Sequence, residues 1–246
     1  MKRFDLSLSL PPDAFIGRVM LIDGASGGLG QALAQALAGR GAHLILLGRT
    51  PCRLEKTYDA VLAAGGAEPL MQPVNYEGMT LEDYANLAQA VVREFGRLDA
   101  VALLSASSGQ SAPLALADPV QWARSLHVNL SAPFLLAQAM LPLLRQGREP
   151  ALLFGADAGP AAYGGAYAVA KAGVERMVRM WAEELSGMVC VNALDSGPLS
   201  TGLRARQYPG EVPGSAPDPR SAVPAALALL APGCSVNGET VRLGMA

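Results

Sequence analysis

The stretch Val19-Met-Leu-Ile-Asp23-Gly24-Ala-Ser26-Gly27-Gly28-Leu29-Gly30 decides the fold. Its first five residues, apolar up to a closing aspartate, read as a short buried strand. Glycines follow at once, and from Gly28 onward Leu29, Leu33 and Leu37 recur every four positions with Ala32 and Ala36 beside them. That spacing predicts a helix over 28–38 with one apolar face. Glycine between strand and helix lets the backbone turn sharply and approach a ligand, while the helix N-terminus offers unpartnered N–H groups and a positive dipole end. A pyrophosphate suits both features. The expected cradle is Gly24, Ser26, Gly28, Leu29 and Gly30; the bland alternative is a tight turn whose small residues pack helix on sheet.

The rhythm continues outward from this unit. A second strand is expected over 43–47, a helix over 53–64, a weaker strand over 69–74 interrupted by Gln72-Pro73, a helix over 81–95 and a fourth strand over 98–104. In the second half, 119–144 reads as a long helical stretch that Pro133 and Pro142 kink or delimit. Strand five follows over 151–154, a long helix over 163–185 and strand six over 188–194. Residues 196–219 hold much of the Pro/Gly content and no core periodicity, which predicts a mobile loop over the substrate. A helix over 222–230 and a strand over 240–243 close the chain. Strands alternating with helices need crossover connections, hence a doubly wound α/β domain: a parallel sheet of about seven strands covered on both faces. It is expected to span 15–246, after a short N-terminal arm over 1–14.

Composition narrows the function. At 246 residues, 51% hydrophobic and 16% charged, the chain suits one large domain with a well-filled core. A net charge of −2 gives no electrostatic footprint for nucleic acid. Cys52, Cys190 and Cys234 are odd in number and distant in sequence, as are His43 and His127, so neither a disulfide framework nor a metal site is implied. No apolar run has the length of a membrane span and the first residues lack a signal-peptide core, making the cytoplasm the expected location.

Tyr167 and Lys171 carry the chemistry. Four residues apart in Tyr167-Ala-Val-Ala-Lys171, they share one face of the expected helix. An ammonium beside a phenol favours the phenolate, so the tyrosine's pKa is expected to fall below its usual value of about 10. Such a phenol exchanges a proton with an alcohol or carbonyl oxygen near neutral pH. Arg49 stands directly after strand two, where a dinucleotide fold places the adenosine ribose. An acid there favours a free 2′-hydroxyl and an arginine a 2′-phosphate, so NADP(H) is preferred over NAD(H), with Arg53 as a helper. The alternative is an ordinary solvated arginine at a helix start.

Together these motifs resemble the short-chain dehydrogenase/reductase family over roughly residues 15–244, with its Rossmann-like fold. The family's Thr-Gly-x-x-x-Gly-x-Gly turn is matched by Asp23-Gly24-Ala-Ser-Gly27-Gly28-Leu-Gly30, its Tyr-x-x-x-Lys by Tyr167 and Lys171, and its mid-helix asparagine by Asn129. Val191-Asn192-Ala193, then Gly197-Pro198 and Thr201, is similar to its segment after strand six. The resemblance implies hydride transfer between a nicotinamide and a substrate carbon, with Tyr167 moving the proton. It implies that Lys171 holds the nicotinamide ribose, that Asn129 anchors a relay water, that Asn75 lies beside the adenine, and that Gly197 and Thr201 line the nicotinamide side. It further implies a small-molecule carbonyl or alcohol substrate and a homodimer or homotetramer packed through the long helices of the second half. Leu126, Leu130 and Phe134 recur there at helical spacing.

The departures from the family pattern are specific. Its catalytic serine lies about thirteen residues before its tyrosine, yet Phe154-Gly-Ala-Asp157-Ala-Gly159 holds no hydroxyl residue. Ala156 or Asp157 takes the position, and losing one such donor costs on the order of 10²–10³ in rate. After strand four, Leu103-Leu-Ser-Ala-Ser-Ser108-Gly109 replaces the usual Asn-Asn-Ala-Gly, and its serines either supply replacement hydroxyls or simply end the strand. Asp23 replaces the turn's threonine, and ionised and unpaired it would repel the pyrophosphate. Two functions therefore compete: an NADP(H)-dependent oxidoreductase centred on Tyr167, and a catalytically impaired relative that binds a nucleotide or a partner chain without turnover.

Overall fold

In the computed structural model, residues 10, 11, 13–157, 159 and 162–243 are described. The arm expected over 1–14 therefore lies mostly outside the described residues. Seven strands form one sheet in the order β3-β2-β1-β4-β5-β6-β7, and every adjacent pair is parallel. The strands are β1 (Val19–Asp23), β2 (His43–Gly48), β3 (Leu70–Pro73), β4 (Ala100–Leu103), β5 (Ala151–Ala156), β6 (Cys190–Asp195) and β7 (Thr240–Arg242). Period-two alternation sorts β1 between two cores. Met20 and Ile22 join Leu33, Leu37 and Leu54 on one face, and Val19 and Leu21 join Leu136, Met140 and Val178 on the other. Pro73 is tolerated because β3 lies at the sheet edge.

The helices are α1 (Gly28–Ala38), α2 (Pro51–Ala63), α3 (Leu81–Phe95), α4 (Pro119–Leu126), α5 (Ala132–Leu144), α6 (Gly165–Glu184), α7 (Gly202–Gln207) and α8 (Val223–Leu230). α3 keeps its expected bounds because its ends are written locally. Thr80 and Asp83 form a capping box, and Gly96 closes the helix at φ +71°.

Between α4 and α5 a π-turn spans His127–Ser131. Pro133 has no N–H to give the carbonyl four residues earlier, and the wider turn absorbs the missing bond. Pro142 falls in the last turn of α5, which continues to Leu144. The run Pro119–Leu144 is thus 26 continuous helical residues, long and apolar enough by composition to cross a membrane. This corrects the expectation that no segment has that length. In the fold the run packs on β4, α3 and α6. The Leu126, Leu130 and Phe134 stripe is half-buried within the chain itself: Leu130 lies over Gly173, and Phe134 meets Trp181 edge to face.

Residues 196–219, expected to be a mobile loop without core periodicity, contain α7. Thr201 caps that helix, accepting the Arg204 N–H at 3.2 Å. Arg204 makes two 2.6 Å bonds to Glu211 and lies over the Tyr208 ring. Polar contacts rather than an apolar stripe organise this stretch, so hydrophobic periodicity had no signal to give.

Candidate active site

The strand order reverses on either side of β1, which pairs with β2 and β4. A crevice opens beyond the C-terminal ends of strands at such a switch point. The cleft here is lined by Gly24, Ser26, Gly28, Leu29, Gly30, Arg49 and Asn75 together with Tyr167, Lys171, Gly197 and Thr201. Residues spread over most of the chain thus converge. Asn129 is the expected site residue that does not line it.

Close backbone approach explains the glycines of the turn. Gly24 has φ +78°, and a Cβ there would sit 2.7 Å from the Ser105 nitrogen; at Gly30 it would sit 2.2 Å from the Gly24 oxygen. α1 has no side-chain cap, and the N–H groups of Gly28, Leu29 and Gly30 find no acceptor outside the helix among the described residues. An anion is the natural partner for that end. Arg49 is exposed at the end of β2 and makes no hydrogen bond or ion pair with another described residue. Nearby Glu77 is engaged by Arg124, which holds its carboxylate below the usual range, with a weaker contribution from Arg49.

Asp23 lies beneath the turn, fully buried and outside the cleft lining. Its Oδ1 accepts the Ser105 hydroxyl at 2.6 Å, and Oδ2 has no hydrogen bond. The Tyr76 hydroxyl faces this carboxyl without completing hydrogen-bond geometry. Burial raises the Asp23 pKa, favouring a neutral acid. Asp23 is hydrogen-bonded to Ser105 rather than unpaired, so the condition under which it would repel a pyrophosphate is not met. A folded pKa above the unfolded value of about 3.9 contributes stability that is fully present below that pH and is lost as pH rises through the folded pKa. Asp23→Asn removes this dependence. In thermal melts at acid and neutral pH, the variant is expected to gain on the wild type as pH rises; a constant difference between the two would refute the assignment.

Tyr167 and Lys171 stand one turn apart on α6, each only 4% exposed. The Tyr167 hydroxyl donates to Asp157 Oδ2 at 2.7 Å, and the Lys171 ammonium donates to the Gly155 carbonyl at 2.7 Å. Burial first, and then the Asp157 charge, push the phenol well above its ordinary pKa. This overturns the expectation that Lys171 lowers it. The ammonium lies 5.8 Å from the ring centroid and directs one of its three N–H groups at a backbone oxygen. Burial also lowers Lys171 itself to about 8, against the opposing pull of Asp157, Asp23 and Asp195.

Asp157, at the end of β5, thus occupies the position beside the tyrosine that the sequence left open between it and Ala156. Of the serines after β4, Ser105 donates its hydroxyl to Asp23 and Ser107 bonds Asn129 through its backbone, and both line the cleft. Asn129 is fully buried; its Oδ1 accepts the Ser107 N–H at 2.9 Å, and its Nδ2 donates to the Ser107 and Ser125 carbonyls at 3.0 and 2.9 Å. Its side chain ties the post-β4 segment to α4. Sequence reasoning missed Gln207, which faces the Tyr167 hydroxyl from α7, and Tyr76, which lines the cleft. Neither lies in a recognisable spacing, so no local signal could have found them.

The short chain dehydrogenase profile matches residues 18–211. The chain belongs to the short chain dehydrogenase family. A structure described as a short chain dehydrogenase from Pseudomonas syringae is 35% identical to this dehydrogenase, with a TM-score of 0.93, covering 98% of this chain and 99% of the other. Another, from Escherichia coli CFT073 and complexed with NADPH, is 31% identical with a TM-score of 0.91, covering 95% and 99%. The uncharacterized oxidoreductase YciK of Escherichia coli (strain K12) is 32% identical over 222 residues, 89% of this chain and 88% of its own. Membership makes this short chain dehydrogenase an oxidoreductase of a family that binds a nicotinamide cofactor.

Proposed function

We propose that this protein is an NADP(H)-dependent oxidoreductase interconverting a small carbonyl compound and its alcohol, with Tyr167 exchanging the proton with the reacting oxygen. One observation carries the reading: a buried tyrosine–lysine pair and an uncapped helix N-terminus with a nearby exposed arginine share one cleft. A bound nicotinamide supplies or accepts the hydride. The N–H groups of Gly28, Leu29 and Gly30 hold the pyrophosphate, with Gly24 and Ser26 shaping the turn. Arg49 meets the 2′-phosphate, and Asn75 lies beside the adenine. Lys171 holds the nicotinamide ribose, and Gly197 and Thr201 border the nicotinamide. Asn129 supports the site by fixing the Ser107 segment; its side-chain contacts favour that positioning task over the water-anchoring one implied by resemblance. NADPH in the relative from Escherichia coli CFT073 supports the phosphorylated cofactor. Copies of the chain associate through α4 to α6, where Val169 and Met180 are exposed.

Purified protein is expected to bind NADPH, seen as a change in its fluorescence, and to consume it with members of a carbonyl panel. Binding without consumption, of NADPH with carbonyls or NADP⁺ with alcohols, would overturn the reading. For cofactor choice, Arg49→Ala should weaken NADPH binding about 10–100-fold through loss of a charged hydrogen bond, with NADH binding little changed. Equal weakening of both would remove the 2′-phosphate contact.

A further inference from the structure

Tyr167 has one hydroxyl proton, and it is already committed. The hydroxyl donates to Asp157 Oδ2 at 2.7 Å, while Asp157 Oδ1 accepts the Gly159 N–H at 2.7 Å. Both carboxyl oxygens therefore act as acceptors, the pattern of an ionised aspartate. A phenol whose proton is spent presents only lone pairs to an incoming group. An alcohol, which has a proton to give, is complementary to it; a carbonyl oxygen, which needs one, is not.

The groups around Asp157 leave this arrangement intact. From α6, Lys171 donates to the Gly155 carbonyl, and from α7, Arg204 is bound to Glu211 while Gln207 faces the phenol. Asp195 on β6 and Arg242 on β7 pair with each other at 3.6 Å, and Arg242 also engages Glu175. Arg176 and Arg179 border the outer side of Asp157.

We infer that Asp157 is the terminal proton acceptor of the site: an alcohol gives its hydroxyl proton to the Tyr167 oxygen as Tyr167 passes its own to Asp157 Oδ2. The inference rests on the oxidoreductase reading above. The substrate's O–H and C–H bonds break and its C=O bond forms, and the hydride with its electron pair goes to the oxidised nicotinamide. The Tyr167 O–H bond is broken and remade, and Asp157 ends as the neutral acid. Reduction reverses every transfer and starts from protonated Asp157. No free phenolate is needed, the form that the tyrosine's burial disfavours. A serine at this position would stay neutral and leave the ionisation to the phenol.

The test has two readouts. Without cofactor, the ultraviolet phenolate absorbance of Tyr167 is titrated against a Tyr167→Phe background. Asp157→Asn is expected to lower the Tyr167 midpoint by roughly 1–3 pH units, the usual effect of removing a like charge. With NADP⁺ and an alcohol panel, Asp157→Asn should reduce kcat at neutral pH about 10²-fold or more and leave a rate that climbs with pH, while KM changes less. Asp157→Ser should share that alkaline-dependent profile. An unmoved Tyr167 titration, or a wild-type pH profile in Asp157→Asn, overturns the proposal. If the wild type turns over nothing while the titration responds, the oxidoreductase reading falls and the proton-acceptor role falls with it, leaving only the Asp157–Tyr167 coupling.

Discussion

Tyr167→Phe is expected to lower kcat by about 10²–10⁴-fold, the range that a positioned general acid–base supplies. The substitution deletes one oxygen from a side chain whose ring stays packed at 4% exposure, so the fold should tolerate it. NADPH affinity should change little, because in the free protein the lost hydroxyl bonds Asp157 and is no part of the glycine turn. The signature is thus a fall in kcat with retained binding, measured by steady-state rates on any substrate found and by fluorescence titration of NADPH. Unchanged turnover in this variant would mean that another group moves the proton.

Asp99→Ala should produce the largest loss of stability, about 3–5 kcal/mol, the cost of breaking a buried charge network by removing one partner. Asp99 sits fully buried before β4, at the end of the sheet opposite the cleft. Its carboxylate accepts the N–H groups of Val19 at 2.8 Å and Arg148 at 2.7 Å and forms a 3.3 Å ion pair with Arg97. Its backbone carbonyl accepts from Arg18, whose own pKa is lowered chiefly by burial and supported by the Asp99 charge. Alanine would strand two backbone donors and leave buried guanidinium charge with less compensation. Against a domain stability of about 5–15 kcal/mol the effect is severe. Chemical denaturation should show a lower midpoint at unchanged slope. Asp99→Asn, which keeps one acceptor, should cost less; equal stability of Asp99→Ala and wild type would refute the network's role.

The β1 and α1 bounds follow from the apolar run and the four-residue leucine recurrence, because period alone fixes which face is buried. The glycine cradle, Arg49 and the Tyr167–Lys171 pair were legible for a similar reason: each is a short motif set at the end of an element. α7 was not legible, since its helix is held by Thr201 and by the Arg204–Glu211 contact rather than by an apolar stripe. Cys190 and Cys234 looked unrelated, yet both thiols reach the Val236 carbonyl, at 2.9 and 3.6 Å.

By itself the sequence determined the alternation of strand and helix, the position of the glycine turn and the family, all written in local spacing. Only the tertiary structure decided that Tyr167 answers to Asp157 rather than to Lys171, that Asp23 is sealed beneath the turn with Ser105, and that Asn129 braces the neighbouring backbone. Proton affinity depends on burial and on charges a few ångströms away, and those neighbours are chosen by how the sheet's crossovers pack, which spacing along the chain does not encode.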